Sequence, residues 1–153
     1  MDWLELGKLA IVGVVSGLFS SLLAYRAHRQ KKWWELRVAA YQEVIAALSD
    51  LVHYYSYHYN YHIERRDIND DQEKLLRNFW DEAYPKVRRA ADAGAFIFSS
   101  KVNEELMEYI NVNNERPEFY FEYLESNLYS SKKCLKEIVS SSKYDLKTKW
   151  WWL

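Results

Sequence analysis

Residues 33–62 read W-W-E-L-R-V-A-A-Y-Q-E-V-I-A-A-L-S-D-L-V-H-Y-Y-S-Y-H-Y-N-Y-H. Trp34, Val38, Tyr41, Ile45, Leu48, Val52, Tyr55, Tyr59 and His62 step through this stretch by fours and threes. That is the repeat of one helix face. A second stripe, Trp33, Ala40, Val44, Ala47, Leu51, Tyr54, His58 and Tyr61, runs beside the first. Two adjacent stripes make an apolar face wider than a two-stranded coiled coil needs, so the helix belongs to a bundle. Glu35, Gln42, Glu43, Ser49, Asp50 and Asn60 fill the polar side.

Three further helices follow from the downstream pattern. Residues 64–71, E-R-R-D-I-N-D-D, form a turn, and Asp70 with Glu73 fits a capping box at the start of a helix over 71–98. Its stripe is Leu76, Trp80, Ala83, Val87, Ala90, Gly94 and Ile97, and Pro85 predicts a kink or break near 81–84. Ser99 or Ser100 can cap a shorter helix over 101–113, with Val102, Leu106 and Ile110 on one side and Asn113 and Asn114 at its exit. Pro117 suits the first position of a last helix over 117–141. There Tyr120, Leu124, Leu128, Leu135 and Ile138 form the core side, flanked by Phe121 and Cys134. Four glycines and two prolines in 153 residues leave little room for anything but helices with short connections. The expected fold is all-α, with residues 33–153 forming an antiparallel up-and-down four-helix bundle.

Upstream, Leu9 to Tyr25 reads L-A-I-V-G-V-V-S-G-L-F-S-S-L-L-A-Y, without a charge. As a helix it covers ~26 Å, and ~33 Å when extended to Leu4 past Lys8 and Glu5, whose long side chains can snorkel. A hydrocarbon core is ~30 Å thick, so residues 9–25 are expected to be a single transmembrane helix after a short outer segment, 1–8. Arg26, His28, Arg29, Lys31 and Lys32 crowd behind the run, while Asp2 and Glu5 precede it. Excess Lys and Arg marks the cytoplasmic side. The expected topology puts the N-terminus outside the inner membrane, a basic juxtamembrane segment at 26–32 and the bundle in the cytoplasm. A cleaved signal peptide would carry its basic residues first, the reverse of this order. A buried helix of a soluble protein is the other competing reading, because the run is at the lower edge of spanning length.

Gly13 and Gly17 form G-x-x-x-G within the run, with Ser16, Ser20 and Ser21 nearby. Small residues four apart let two helix backbones approach in lipid, so this face is expected to pack spans together. Arg26, Arg29, Lys31 and Lys32 would fix topology and meet anionic lipid, with Trp33 and Trp34 at the interface. The chain ends Lys149-Trp150-Trp151-Trp152-Leu153, and an up-and-down bundle would return this tail, Trp151 included, to the bilayer. Closing the base of the bundle is the plainer role for the same tryptophans.

The sequence carries no nucleotide-binding glycine loop, no H-E-x-x-H, no G-x-S-x-G and no cysteine pair. The expectation is a protein that is not an enzyme and needs no cofactor. Cys134 cannot form an internal disulfide and reads as a small core residue. The unusual segment is His53 to His62. His58 and His62 lie four apart, yet no carboxylate within the helix completes a metal set, so no metal is assigned. Tyr54, Tyr55, His58, Tyr59, Tyr61 and His62 read first as aromatic core or a subunit interface. Ligand stacking is the sharper alternative: Tyr and His faces accept bases, and Arg65 and Arg66 can meet the phosphates of a nucleotide signal. Lys86, Arg88 and Arg89 read as a solvated face, and a net charge of −1 excludes general nucleic-acid binding.

The basic-aromatic exit R-A-H-R-Q-K-K-W-W-E and the helix opening E-L-R-V-A-A-Y-Q-E-V-I follow directly on the apolar run. This order of parts resembles small single-pass membrane proteins of bacterial anti-phage defence loci. Among them it looks like the membrane effectors of retron and CRISPR-associated systems, including the pore-forming accessory proteins of type VI systems. Those accessory proteins are described with an Arg followed by His after four to six residues. No Arg here is followed by His at that spacing, so no nuclease residue carries over. The resemblance implies a homo-oligomer in the lipid bilayer that perturbs or permeabilises the inner membrane when a cytoplasmic defence protein or nucleotide signal engages the bundle. The alternative is a passive adaptor that docks a cytoplasmic protein or signal ligand at the membrane.

Overall fold

A computed structural model of the chain describes residues 3–65 and 69–147, with the side chains of 3–12 and of Ala95 outside the described set. It contains four helices: α1 (Trp3–Glu64), α2 (Asp70–Ile97), α3 (Ser100–Asn114) and α4 (Tyr120–Asp145). No strand occurs among the described residues. Two structural units divide the chain after Leu36, so α1 contributes to both.

From Arg37 onward the protein is an all-helical bundle. Its connectivity follows from which residues meet. Near the start of this unit, Arg37 Nε donates to Ile97 O at 3.0 Å, at the end of α2. Further along, Tyr55 meets Trp80, and His58 meets Glu73 near the start of α2. α1 and α2 are therefore antiparallel. Tyr84 pairs with Asn114 and Gly94 lies against Asn103, which reverses α3 on α2. Lys101 with Glu137 and Asn113 with Asn127 reverse α4 on α3. Tyr41 with Asp145 and Tyr59 with Phe121 close α4 back on α1. The result is the up-and-down order that the short connections imply.

The core uses the expected stripes. Tyr41, Val44, Ala47, Leu48, Leu51 and Tyr55 of α1 are buried with Ala83 and Val87 of α2, Val102, Leu106 and Tyr109 of α3, and Leu124, Cys134 and Ile138 of α4. Cys134 donates its thiol to Glu105 O at 3.6 Å, and burial, reinforced by Glu105 and Glu108, pushes its pKa up to about 12. It is an inert core residue at neutral pH.

Several local expectations are corrected. α2 passes Pro85 unbroken. A proline costs one backbone hydrogen bond, and the buried neighbours Ala83, Val87 and Ala91 hold the helix across that loss. The cap of α2 is Asn69, whose side chain accepts from Asp71 N. Asp70 is already helical, and the Glu73 carboxylate approaches His58. α4 begins at Tyr120, so Pro117 precedes it and Tyr120 is exposed. Arg65 ends α1 at φ 50°, a left-handed conformation at the turn after the helix.

The N-terminal unit is the first part of α1. Of the expected span at residues 9–25, the side chains of 9–12 lie outside the described set; among the described residues, no helix is long and apolar enough to cross a membrane.

Candidate functional site

Every described side chain from Gly13 to Leu36 is exposed. Val14, Val15, Leu18, Phe19, Leu22, Leu23 and Tyr25 each stand 52–63% open. At about 100° per residue these seven share one half of the helix circumference. Gly13, Ser16, Gly17, Ser20, Ser21 and Ala24 occupy the other half. The four predicted packing residues, Gly13, Ser16, Gly17 and Ser20, thus share one small-residue face. A Cβ added at Gly13 or Gly17 would meet nothing within 4 Å, so nothing in the chain itself requires those glycines. Ser16 Oγ donates to Gly13 O at 3.2 Å, which satisfies a hydroxyl on that face.

Beyond the apolar residues, Arg26, Arg29, Lys31 and Lys32 are all exposed. Arg29 lies 5.9 Å from the Tyr25 ring centre and Lys31 is 3.9 Å from Glu35. Trp33 and Trp34 are each 42% exposed. Trp151 and Arg66 are outside the described residues, so their expected roles are not part of this geometry.

The Tyr/His segment does not act as one surface. Tyr55 is fully buried, where its hydroxyl accepts from Trp80 Nε1 at 3.1 Å and from Asn113 Nδ2 at 2.5 Å. Asn113 also donates to Asn127 Oδ1 at 2.7 Å, and Asn127 Nδ2 returns to Tyr123 O at 2.8 Å. One polar node therefore ties all four helices together. At the end of the segment Tyr59 and His62 stack on Phe121, with ring centres 5.3 and 5.4 Å apart. Tyr61 stacks on Tyr57 and exchanges a hydroxyl contact of 2.8 Å. Arg65 is exposed in the turn.

His58 is the exception. It is buried, its ring centre lies 4.4 Å from that of Tyr54, and its Nε2 has no hydrogen-bond partner among the described residues. Glu73 Oε2 approaches it to 3.8 Å, too far for a hydrogen bond. Burial lowers the histidine's pKa, and Glu73 only partly opposes this. His58 is therefore neutral at pH 7. Two of its neighbours, Tyr54 and Glu73, line a cavity of about 290 Å³ with Arg77, Trp80 and Asp81 of α2 and Tyr123 of α4, and His58 itself is not part of that lining. Burial raises the Tyr54 hydroxyl to about 12, so it too stays protonated.

The cavity brings together residues from three helices, and of its lining only Tyr54 was a candidate site residue in the sequence. His58 and His62 pack against different neighbours. Among the described residues no group of three or more His, Cys, Asp or Glu is arranged to hold a metal ion. No family model, no curated protein and no solved structure matches the chain.

Proposed function

We propose that the protein is a membrane-anchored, self-associating helical effector, held in the inner membrane by residues 9–25 with its bundle in the cytoplasm. The observation that carries this reading is the two-sided helix, with seven exposed large apolar residues opposite a face of Gly, Ser and Ala. Full burial of such a side chain is worth roughly 1.5–3 kcal/mol, so an apolar face of this extent calls for a partner other than water. Lipid suits the large residues. A second copy suits the small ones, because without Cβ atoms at Gly13 and Gly17 two backbones can approach. Clustered helices then perturb or permeabilise the bilayer, and the bundle receives the signal that controls clustering. A role in anti-phage defence rests on the resemblance of the exit sequence and the order of parts.

The test is the mass of the full-length chain in detergent, by light scattering with the detergent contribution subtracted, followed by dye release from anionic vesicles. A discrete oligomer that releases dye supports the effector. A monomer without leakage would favour a passive adaptor, for which a foreign anchor should serve equally well.

A further inference from the structure

We propose that the groove between α1 and α2 is a binding site for a free α-amino acid with an apolar side chain. The ligand's carboxylate would meet Lys86 and Arg89 of α2, and its ammonium group Glu43 of α1. Its side chain would lie on Ala40, Gly94, Ile97 and Phe98.

Three features of the groove select this chemistry. First, it stays open between two packed helices and encloses about 210 Å³. Ala40 on α1 and Ala90, Ala93 and Gly94 on α2 are too short to fill that space, whereas side chains in a core normally interdigitate. The volume is below that of pockets for drug-sized ligands and fits a molecule of amino-acid size. Second, charges of both signs line the groove without neutralising each other. Among the described residues Glu43, Lys86 and Arg89 make no ion pair. Arg89 Nε donates to Pro85 O at 3.2 Å, which steadies the guanidinium and leaves its two Nη groups to grip a carboxylate side by side. Third, the charged and apolar residues divide along the groove. Arg37 of α1 bonds Ile97 of α2 at one end of the antiparallel pair. Glu43 is six residues along α1 from Arg37, and Arg89 is eight residues before Ile97, so both stand roughly 9–12 Å from that end. Ala40, Gly94 and Phe98 lie nearer to it. An α-amino acid has the same division, with opposite charges on one carbon and an apolar branch beside them. A fatty acid would leave Glu43 facing its carboxylate, and an alkylamine would meet Lys86 and Arg89. The groove belongs to the bundle alone, so the site does not depend on the membrane reading.

The experiment is calorimetric titration of the full-length chain, in a non-ionic detergent at pH 7.5, with L-leucine, L-isoleucine, L-methionine and L-phenylalanine. The counter-probes are the two halves of leucine: 4-methylpentanoate, which lacks the ammonium group, and isoamylamine, which lacks the carboxylate. At least one amino acid is expected to bind with one site per chain, and both counter-probes at least tenfold more weakly than leucine. Glu43→Gln should weaken the amino acid about tenfold or more and leave 4-methylpentanoate no weaker, since only the ammonium contact is lost. Arg89→Gln should weaken both. Glu43, Arg89 and Ala93 are exposed, so the melting temperature of these variants should match wild type, and Ala93→Leu, which fills the groove, should abolish binding. Absence of binding by all four amino acids would overturn the proposal. So would either half of leucine binding as tightly as the whole, or an affinity indifferent to Glu43→Gln and Arg89→Gln.

Discussion

Asn113 on α3 donates its side-chain amide to Asn127 Oδ1 on α4 across 2.7 Å, inside the bundle core. The same amide reaches the Tyr55 hydroxyl, which also accepts from Trp80. Buried networks of this kind are worth most when every member is satisfied, and removing one member leaves the others stranded. Asn113→Leu should therefore destabilise the bundle by about 2–3 kcal/mol, read as a lower urea midpoint at constant slope. Asn127→Leu alone should behave similarly. The double variant should cost less than the sum of the two, because both partners are then apolar. Additive losses would mean that the two amides do not act as a unit.

A second polar group lies at the bundle end where α2 and α4 finish. The Tyr41 hydroxyl donates to Asp145, and Arg37 Nη2 stands 3.7 Å from the same carboxylate. Burial alone would raise the Asp145 pKa, but hydrogen bonds from Tyr41 and Ser99 and the charge of Arg37 outweigh it and hold it below the usual carboxylate value. A depressed folded pKa contributes stability that is complete above the unfolded value, near 3.9, and is lost as pH falls through the folded one. Asp145→Asn should lower the melting temperature at pH 7 and bring it closer to wild type at pH 2–3. An equal deficit at both pH values would contradict this assignment.

How much of this was legible in the sequence depends on where each feature lies. The helix faces were legible because a period near 3.6 is a local signal. Leu48, Leu51, Val87, Leu106 and Ile138 are all buried where their registers put them. Helix starts were less so, since Asn69 and Asp70 are both good caps and Pro117 tolerates standing before the helix as well as within it. Asn113 and Asn127 were missed although the signal existed. Asn113 continues the Leu106–Ile110 spacing and Asn127 follows Leu124 by three. Asn113, beside Asn114 at a predicted helix end, reads more readily as an exit than as half of a core pair. The cavity was hidden for a different reason. Glu73, Arg77, Trp80 and Asp81 lie on one helix, but Tyr54 and Tyr123 come from 19 residues before Glu73 and 50 after it. Only tertiary packing brings them together.

His58 gives the bundle a pH response of opposite origin to that of Asp145. Its pKa is lowered on folding, chiefly by burial, while Tyr54 on α1 and Glu73 on α2 face it. Below pH 6.5 the unfolded chain takes up a proton that the folded one resists, so stability falls as pH drops from about 6.5 toward the folded value. His58→Leu should flatten the melting-temperature profile between pH 7.5 and 5. A profile with the same slope in both proteins would assign the response elsewhere.

Gly13 and Gly17 yield the prediction that separates anchoring from assembly. Replacing both with Leu introduces no clash within the chain, because neither Cβ would meet anything within 4 Å. It also makes the helix more apolar, so membrane affinity should be kept or raised. What the larger side chains remove is close approach between two backbones. Under the proposed function, the Gly13→Leu, Gly17→Leu protein should remain in the membrane fraction, melt within ~1 °C of wild type in its bundle, and lose the proposed oligomer and dye release together, because the substituted positions are far from the bundle core. Scanning Leu18 or Leu22 to Ala in parallel should weaken partitioning first. If the double variant assembles and releases dye as well as wild type, the small-residue face is not the contact between copies. The large apolar half of the helix would then have to supply it.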